Sequence, residues 1–291
     1  MRMIRILIAG KNSYIGTSFE RYTEKFPEIE TKTASLRQEA WKTLDFSAYD
    51  TVFHVAGIAH SDEGKISEER KKEYYAVNRD LAIAVAKKAK ADGVKQFIYM
   101  SSSIVYGAAA PIGKEKIVTA DTPLQPENCY GDSKVQAEKG LLPLEDENFK
   151  VAILRPPMIY GKNSKGNYPL LAKLAKKLPV FPDIRNARSM LYIENLCELV
   201  RLLAVNRDSG IFFPQNSEYF STTELVRFIA RAHGREIRVT KFLNPLVRFA
   251  GLFTRKVNKA FGSFCYEREL SVYKQEYRLV GKEESVERTE R

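Results

Sequence analysis

Ile4-Arg-Ile-Leu-Ile-Ala-Gly10-Lys-Asn-Ser13-Tyr-Ile-Gly16 decides the fold. Its first half is an apolar run that ends on a glycine, and helical spacing begins near Tyr14. That order is strand, turn, helix. Such a turn presents backbone N–H groups at a helix N-terminus, and glycine lets the backbone approach a pyrophosphate closely. Two of the three glycines of a dinucleotide fingerprint are present, with Ser13 in the middle place. One such turn alone is weak evidence, and its weight comes from its position after a first strand.

Working outward, strands are expected at Ile29–Ala34, Thr51–Val55, Gln96–Met100 and Lys150–Leu154, and helices at Glu68–Ala91 and Tyr130–Leu142. Strands alternating with helices predict an α/β fold with a doubly wound parallel sheet covered on both faces. Past residue 155 the pattern loosens. Pro169–Lys177, Ile193–Val205 and Thr222–His233 read as helices, and Gly210–Phe213 as a short strand. Leu178–Pro182 reads as a breaker-rich loop and Cys265–Arg291 as a charged tail. The expected division is a dinucleotide-binding domain over residues 1–160 and a smaller C-terminal, substrate-binding lobe over 161–291 that partly returns to the sheet.

Bulk properties narrow the classes. The 291 residues are 44% hydrophobic, enough for a sizeable core. No stretch reaches the roughly 18 uncharged apolar residues of a spanning helix. The N-terminus lacks the apolar length and cleavage site of a signal peptide, so a cytoplasmic protein is expected. Cys129, Cys197 and Cys265 form no CxxC or disulfide framework. His54, His60 and His233 lack ligand spacing, so no structural metal is expected. The net charge of +11 is dispersed, with no nucleic-acid-reading motif, and biases the surface toward phosphate-bearing ligands. Asn244–Phe261 mixes Leu246, Val247, Phe249, Leu252 and Phe253 with Arg248, Arg255, Lys256 and Lys259. Such a stretch either lies on an anionic membrane or packs on its own domain with its charges solvated. Packing is the expectation, and membrane contact is not.

Tyr130-Gly-Asp-Ser-Lys134 places a phenol and an ammonium four residues apart, on one helix face. A free tyrosine, with a pKa of about 10, is a poor base at neutral pH. A nearby ammonium stabilises phenolate and lowers that value, and the pair can then exchange a proton with a substrate hydroxyl. The spacing alone is common on helix surfaces. Ser101-Ser102-Ser103 adds to it, because it stands at a strand end, where doubly wound sheets bind ligands. At the end of strand two, Thr31-Lys-Thr-Ala-Ser35-Leu-Arg37 holds no acid for ribose hydroxyls. Ser35 and Arg37 are suited to a 2′-phosphate; otherwise Arg37 is an exposed loop residue.

The chain resembles an extended short-chain dehydrogenase/reductase of the NAD-dependent epimerase/dehydratase branch. The matching pieces stand in family order: Gly10…Gly16, Asp45-Phe46, His54-Val-Ala-Gly57, Tyr75-Ala-Val-Asn78, Ser101-Ser-Ser-Ile-Val-Tyr-Gly107, Tyr130-Gly-Asp-Ser-Lys134, Leu154-Arg-Pro-Pro-Met-Ile-Tyr-Gly161 and Arg188-Ser-Met-Leu-Tyr-Ile-Glu-Asn195. The resemblance implies a Rossmann-type sheet and a set of roles. Ser102 matches the catalytic Ser/Thr, Tyr130 the acid/base, and Lys134 the residue that holds the nicotinamide ribose and lowers the tyrosine pKa. Gly10, Ser13, Tyr14, Ile15, Gly16, Ser35, Arg37, Asp45, Phe46, Ala56 and Gly57 are the implied cofactor contacts, Asp45 through adenine. Asn78 is implied to support the sheet and cofactor region. Ser102, Ser103, Asn167 and Arg188 are implied for substrate, Arg188 through a bidentate grip on a diphosphate.

Departures from the pattern are Ser13 for glycine, Cys129 and Lys162 where proline is usual, and the missing strand-two acid. Dehydratases of the family carry an Asp-Glu pair after the catalytic Ser/Thr, where this chain has Ser103-Ile104. That ranks dehydration third. A nucleotide-sugar 4-epimerase on a UDP-linked hexose, with NAD or NADP, is the first expectation, and an NADPH-dependent 4-ketosugar reductase of surface-polysaccharide synthesis the second. A non-catalytic cofactor-binding regulator is the reading from another class, although the chain keeps Ser102, Tyr130 and Lys134. A homodimer is expected from the resemblance.

Overall fold

Six parallel strands form the central sheet of the computed structural model, which describes residues 2–58 and 66–291. They are β1 (Ile4–Ala9), β2 (Ile29–Ala34), β3 (Thr51–His54), β4 (Gln96–Met100), Lys150–Leu154 and Gly210–Phe212. Their order across the sheet is Gly210–Phe212, Lys150–Leu154, β4, β3, β1, β2. Burial follows from that order. Ile6 through Ala9 and Phe97 through Tyr99 have no exposed surface, as expected of inner strands covered on both faces. The edge strand β2 alternates and buries only Ile29 and Ala34 at its ends. The strand order reverses direction at β1, which makes the loops after β1 and β3 the switch point where such sheets bind ligands.

Local chemistry explains the elements that flank this point. Ser13 N-caps α1 (Tyr14–Thr23), its Oγ accepting from Gly16 N at 3.4 Å. The serine in the middle of the fingerprint therefore starts the helix. Gly10, at φ +142°, makes the turn, and a Cβ there would sit 2.7 Å from Ala56 N. Asn128 caps α4 (Cys129–Leu141) by accepting from Gly131 N at 2.8 Å. The expected single helix over 68–91 is three pieces: α2 (Glu68–Tyr75), a π-helical turn over Ala76–Asp80, and α3 (Leu81–Ala91). The turn carries Asn78 into the interior, where none of it is exposed, and π turns often serve a site in this way.

The chain divides into two compact units that interleave in sequence. The first comprises residues 1–107, 123–156 and 196–214, and the second 108–122, 157–195 and 215–291. The helix Ile193–Asn206 carries the chain from the second unit to the first, where Gly210–Phe212 joins the sheet.

The second unit is built from short parallel strand pairs. Met158–Tyr160 pairs with Met190–Tyr192, Val180–Pro182 with Arg238–Thr240, and Ile117–Val118 with Cys265–Tyr266. Two expectations fail here. Leu178–Pro182 is not simply a loop, since its last three residues pair as a strand. Cys265–Arg291 is not merely a charged tail. It contributes a strand and the helix Lys282–Glu290, and Tyr277 and Val286 lie fully buried. Charged residues outnumber these anchors in sequence and mask them.

Candidate active site

β4 delivers Ser101, Ser102 and Ser103 to the carboxyl end of the sheet. Backbone bonds from Ser101 N to Leu154 O (2.8 Å) and from Ser103 N to Pro156 O (2.9 Å) hold the segment in place. Ser102 then caps the short turn Ser103–Tyr106, accepting from Ile104 N at 3.3 Å. The Ser102 hydroxyl also acts on the Tyr130 phenol in the direction that favours phenolate. Burial opposes it more strongly, and Tyr130 is held above its ordinary value.

Lys134 stands one turn further along α4. Its Nζ donates to Met100 O at 2.7 Å and lies 4.6 Å from the centre of the Tyr99 ring. Burial pulls its pKa down to about 7, and the Glu138 carboxylate resists that fall. The Lys134 ammonium is anchored by the Met100 carbonyl, and the Ser102 hydroxyl lowers the Tyr130 pKa.

Two residues that the spacing argument passed over complete the cluster. Glu138 and Arg155, 1% and 6% exposed, form a buried ion pair at 2.5 Å. Arg155 Nη1 donates to Tyr106 Oη at 2.6 Å, and Ser101 Oγ donates to Glu138. Sequence held one signal for Glu138: Tyr130, Lys134 and Glu138 recur every four residues on one helix face.

Asn78 ties this cluster to the loop after β3. Its side chain accepts from Ile58 N at 2.8 Å and donates to Ser133 Oγ at 3.1 Å. Tyr99 Oη donates to Asn78 O at 2.9 Å. Gly57 is exposed in front of this group, and an added Cβ would lie 3.0 Å from Asn78 Oδ1 and 3.4 Å from Lys134 Nζ. Lack of a side chain at Gly57 thus leaves open space beside Lys134. Half-buried Ala56 donates its N–H to Ala9 O at 3.1 Å. His54, fully buried below, is kept neutral, its pKa pulled down to about 3 by burial and then by the Lys134 charge.

The other cofactor candidates divide. First-turn N–H groups of α1, at Tyr14 and Ile15, lack intrahelical acceptors by helix geometry and suit a diphosphate, with no acid in that turn to repel it. Gly16 packs α1 onto the sheet, where a Cβ would meet Ile8 Cγ2 at 2.9 Å. Ser35 is half-buried and Arg37 exposed just past β2. Asp45 is exposed and accepts from Ser47 N at 2.8 Å. Phe46 is fully buried in the hydrophobic core and its N–H donates to Asp92 Oδ2 at 3.1 Å, so its side chain is not offered to a cofactor. Together the N–H donors, the bare glycines and Lys134 fit a dinucleotide.

Asn167 and Arg188 belong to the second unit. Asn167 is the first residue of the helix Asn167–Lys177. Arg188 Nη1 donates to the carbonyls of Lys259 (2.6 Å), Ala260 (3.2 Å) and Gly262 (3.4 Å), so one arm of the expected bidentate grip is spent on backbone. Burial lowers its pKa to about 10. His60 lies outside the described residues. Among the described residues no group of His, Cys, Asp and Glu gathers as a metal site, and no helix is long and apolar enough to cross a membrane.

The Ser102–Tyr130–Lys134 cluster at the carboxyl edge of a parallel sheet agrees with a match over residues 6–212 to the NAD dependent epimerase/dehydratase family. The chain belongs to that family. A UDP-glucose 4-epimerase of Vibrio cholerae is 35% identical over 187 residues, covering 62% of this chain and 56% of that protein. An N-acetyl-alpha-D-glucosaminyl-diphospho-ditrans,octacis-undecaprenol 4-epimerase of Escherichia coli O157:H7 is 27% identical over 224 residues, 70% of this chain and 64% of that protein. Each match thus spans less than two thirds of the relative's length. Among solved structures, the Thermus thermophilus UDP-glucose 4-epimerase complex with NAD superposes with a TM-score of 0.73 at 18% identity, covering 98% of this chain and 97% of that one. The likeness confirms the Rossmann-type parallel sheet.

Proposed function

We propose that this family member epimerises carbon 4 of a sugar carried on a diphosphate, a UDP-linked hexose in the first instance. The observation that carries the reading is Ser102 at the carboxyl end of β4 together with Tyr130 and, one turn away on α4, buried Lys134. As a phenolate, favoured by the Ser102 hydroxyl and the Lys134 ammonium, Tyr130 accepts the proton of the sugar hydroxyl and later returns it, while Ser102 orients that hydroxyl. Lys134 and Glu138 keep the local charge balance through that transfer. Tyr14 N, Ile15 N and the bare surface at Gly57 would hold a dinucleotide, and a bound nicotinamide would supply the hydride acceptor and donor. Asn167 and Arg188 are proposed for the diphosphate, and Arg188→Leu should raise KM more than it lowers kcat.

Both relatives support the substrate class, because both are 4-epimerases and differ in what carries the sugar. Ser103 and Ile104 provide no acid or base beside Ser102, which argues against dehydration. A second reading, a 4-ketosugar reductase using NADPH, is favoured by exposed Arg37 and by the absence of an acid over residues 31–37. The purified protein decides between them. An epimerase carries NAD through purification and interconverts UDP-glucose and UDP-galactose without added cofactor. Protein that emerges empty and binds NADPH far better than NAD overturns the epimerase reading.

A further inference from the structure

Five large apolar side chains stand out of the second unit on one helix and the turn before it. Phe242, Leu246, Phe249, Leu252 and Phe253 are 88%, 66%, 61%, 78% and 77% exposed. Steps of three and four from Leu246 through Phe249 to Phe253 put these three side chains on one face of the helix Asn244–Phe253, and Phe242 stands in the turn before it. The Phe249 and Phe253 rings pack on each other at 5.0 Å. The opposite face is the one that docks. Gly251 is buried, its position 3.2 Å from both Ile112 Cδ1 and Asn258 Oδ1 when a Cβ is added, and Asn258 Nδ2 donates to Gly251 O at 2.6 Å. The packing expected for this stretch is thus met by its small residues, and the large ones face outward. An apolar patch of this kind marks an interaction surface.

Charge decides what covers it. Residues 241–262 include Lys241, Arg248, Arg255, Lys256 and Lys259 and not one Asp or Glu. Lys241, Arg248 and Lys259 are exposed. A two-fold contact with a second copy would set this patch against itself, so cations would meet cations with no acid to answer them. An anionic bilayer offers both complements, phosphates for the cations and acyl chains for the rings. We infer that the helix Asn244–Phe253 lies flat on an anionic membrane surface. Phe242, Leu246, Phe249 and Phe253 enter the headgroup–acyl boundary, and Lys241, Arg248 and Lys259 meet the lipid phosphates. Ten residues span about 15 Å, half the hydrocarbon thickness, so the helix rests on the bilayer and does not cross it.

Sedimentation of the full chain with vesicles tests this. Vesicles of equal phosphatidylglycerol and phosphatidylcholine should pellet the protein at low salt, and phosphatidylcholine alone should leave most of it in solution. Phe249→Ser with Phe253→Ser should cut the pelleted fraction about tenfold, and Arg248→Gln with Lys259→Gln should weaken binding and its salt sensitivity. The thermal midpoint of each variant should match the parent, which separates lost binding from lost fold. Parent protein that stays in the supernatant with anionic vesicles overturns the inference. So does a dimer, seen by light scattering, that Phe249→Ser with Phe253→Ser splits while no vesicle is bound, because the occupant is then a second copy. Neither outcome depends on turnover, so the proposed epimerase activity stands or falls separately.

Discussion

Two helices of this chain invert the usual rule of apolar inside and polar outside, and they do so in opposite directions. α4 buries charge: Lys134 and Glu138 are 4% and 1% exposed. The helix Asn244–Phe253 exposes hydrocarbon, with Leu252 and Phe253 more than three-quarters exposed. In α4 every inverted group has a partner within the chain, the Met100 carbonyl for Lys134 and Arg155 with Ser101 for Glu138. In the second helix the inverted groups face outward, and the Phe249 and Phe253 rings pack on each other. Inversion costs free energy unless a partner offsets it, so the first helix marks a site completed by the fold and the second a surface completed from outside.

Breaking the internal partnership should give the largest effect on stability. Glu138→Leu leaves the Arg155 guanidinium buried without its acid, and such losses cost about 3–5 kcal/mol. Denaturant unfolding should show that drop, and a change under about 1 kcal/mol would mean the pair is not closed as described. Gly10→Ala is expected to cost about 1–3 kcal/mol, because φ is +142° and the new Cβ would meet Ala56 N at 2.7 Å. Thermal unfolding checks it, and a neutral result would show the turn to be relaxed.

A pH scan sharpens the comparison. Burial holds Lys134 at about 7 against 10.5 in the unfolded chain. Between those values the unfolded state binds the extra proton, so stability should rise as pH climbs through that window. Below it both states are protonated and the cost of burying the charge is felt in full. Lys134→Met should flatten the rise. Because Glu138 raises the Lys134 pKa, Glu138→Gln should move the alkaline limb of the pH–rate profile to lower pH. The smallest effect belongs to the second helix. Phe249→Ser with Phe253→Ser should leave unfolding free energy within about 0.5 kcal/mol of the parent, since those rings support nothing inside the fold. A large loss would mean that they do.

Much of the first unit is legible in the sequence. β1, β4 and Lys150–Leu154 begin and end where apolar runs meet turn residues, and Tyr130, Lys134 and Ser102 stand out through spacing and strand-end position. What escaped notice lacks a period. The strand pairs of the second unit are two or three residues long, too short to alternate. The π turn at Ala76–Asp80 differs from a helix by one residue of register, yet it decides where Asn78 points. Glu138 and Arg155 are far apart in sequence and ordinary as surface residues; only the fold makes them a pair. Helical spacing shows that Lys134 is near Tyr130, whereas the Met100 carbonyl that anchors its ammonium comes from another element.

Tyr130→Phe tests the central claim most directly, since it removes one oxygen and leaves the ring in place. Turnover of a diphosphate sugar should fall by about 100-fold or more, while cofactor binding, measured by fluorescence titration, stays near the parent value. Turnover that survives the substitution unchanged would contradict the assignment of Tyr130 as the group that moves the proton.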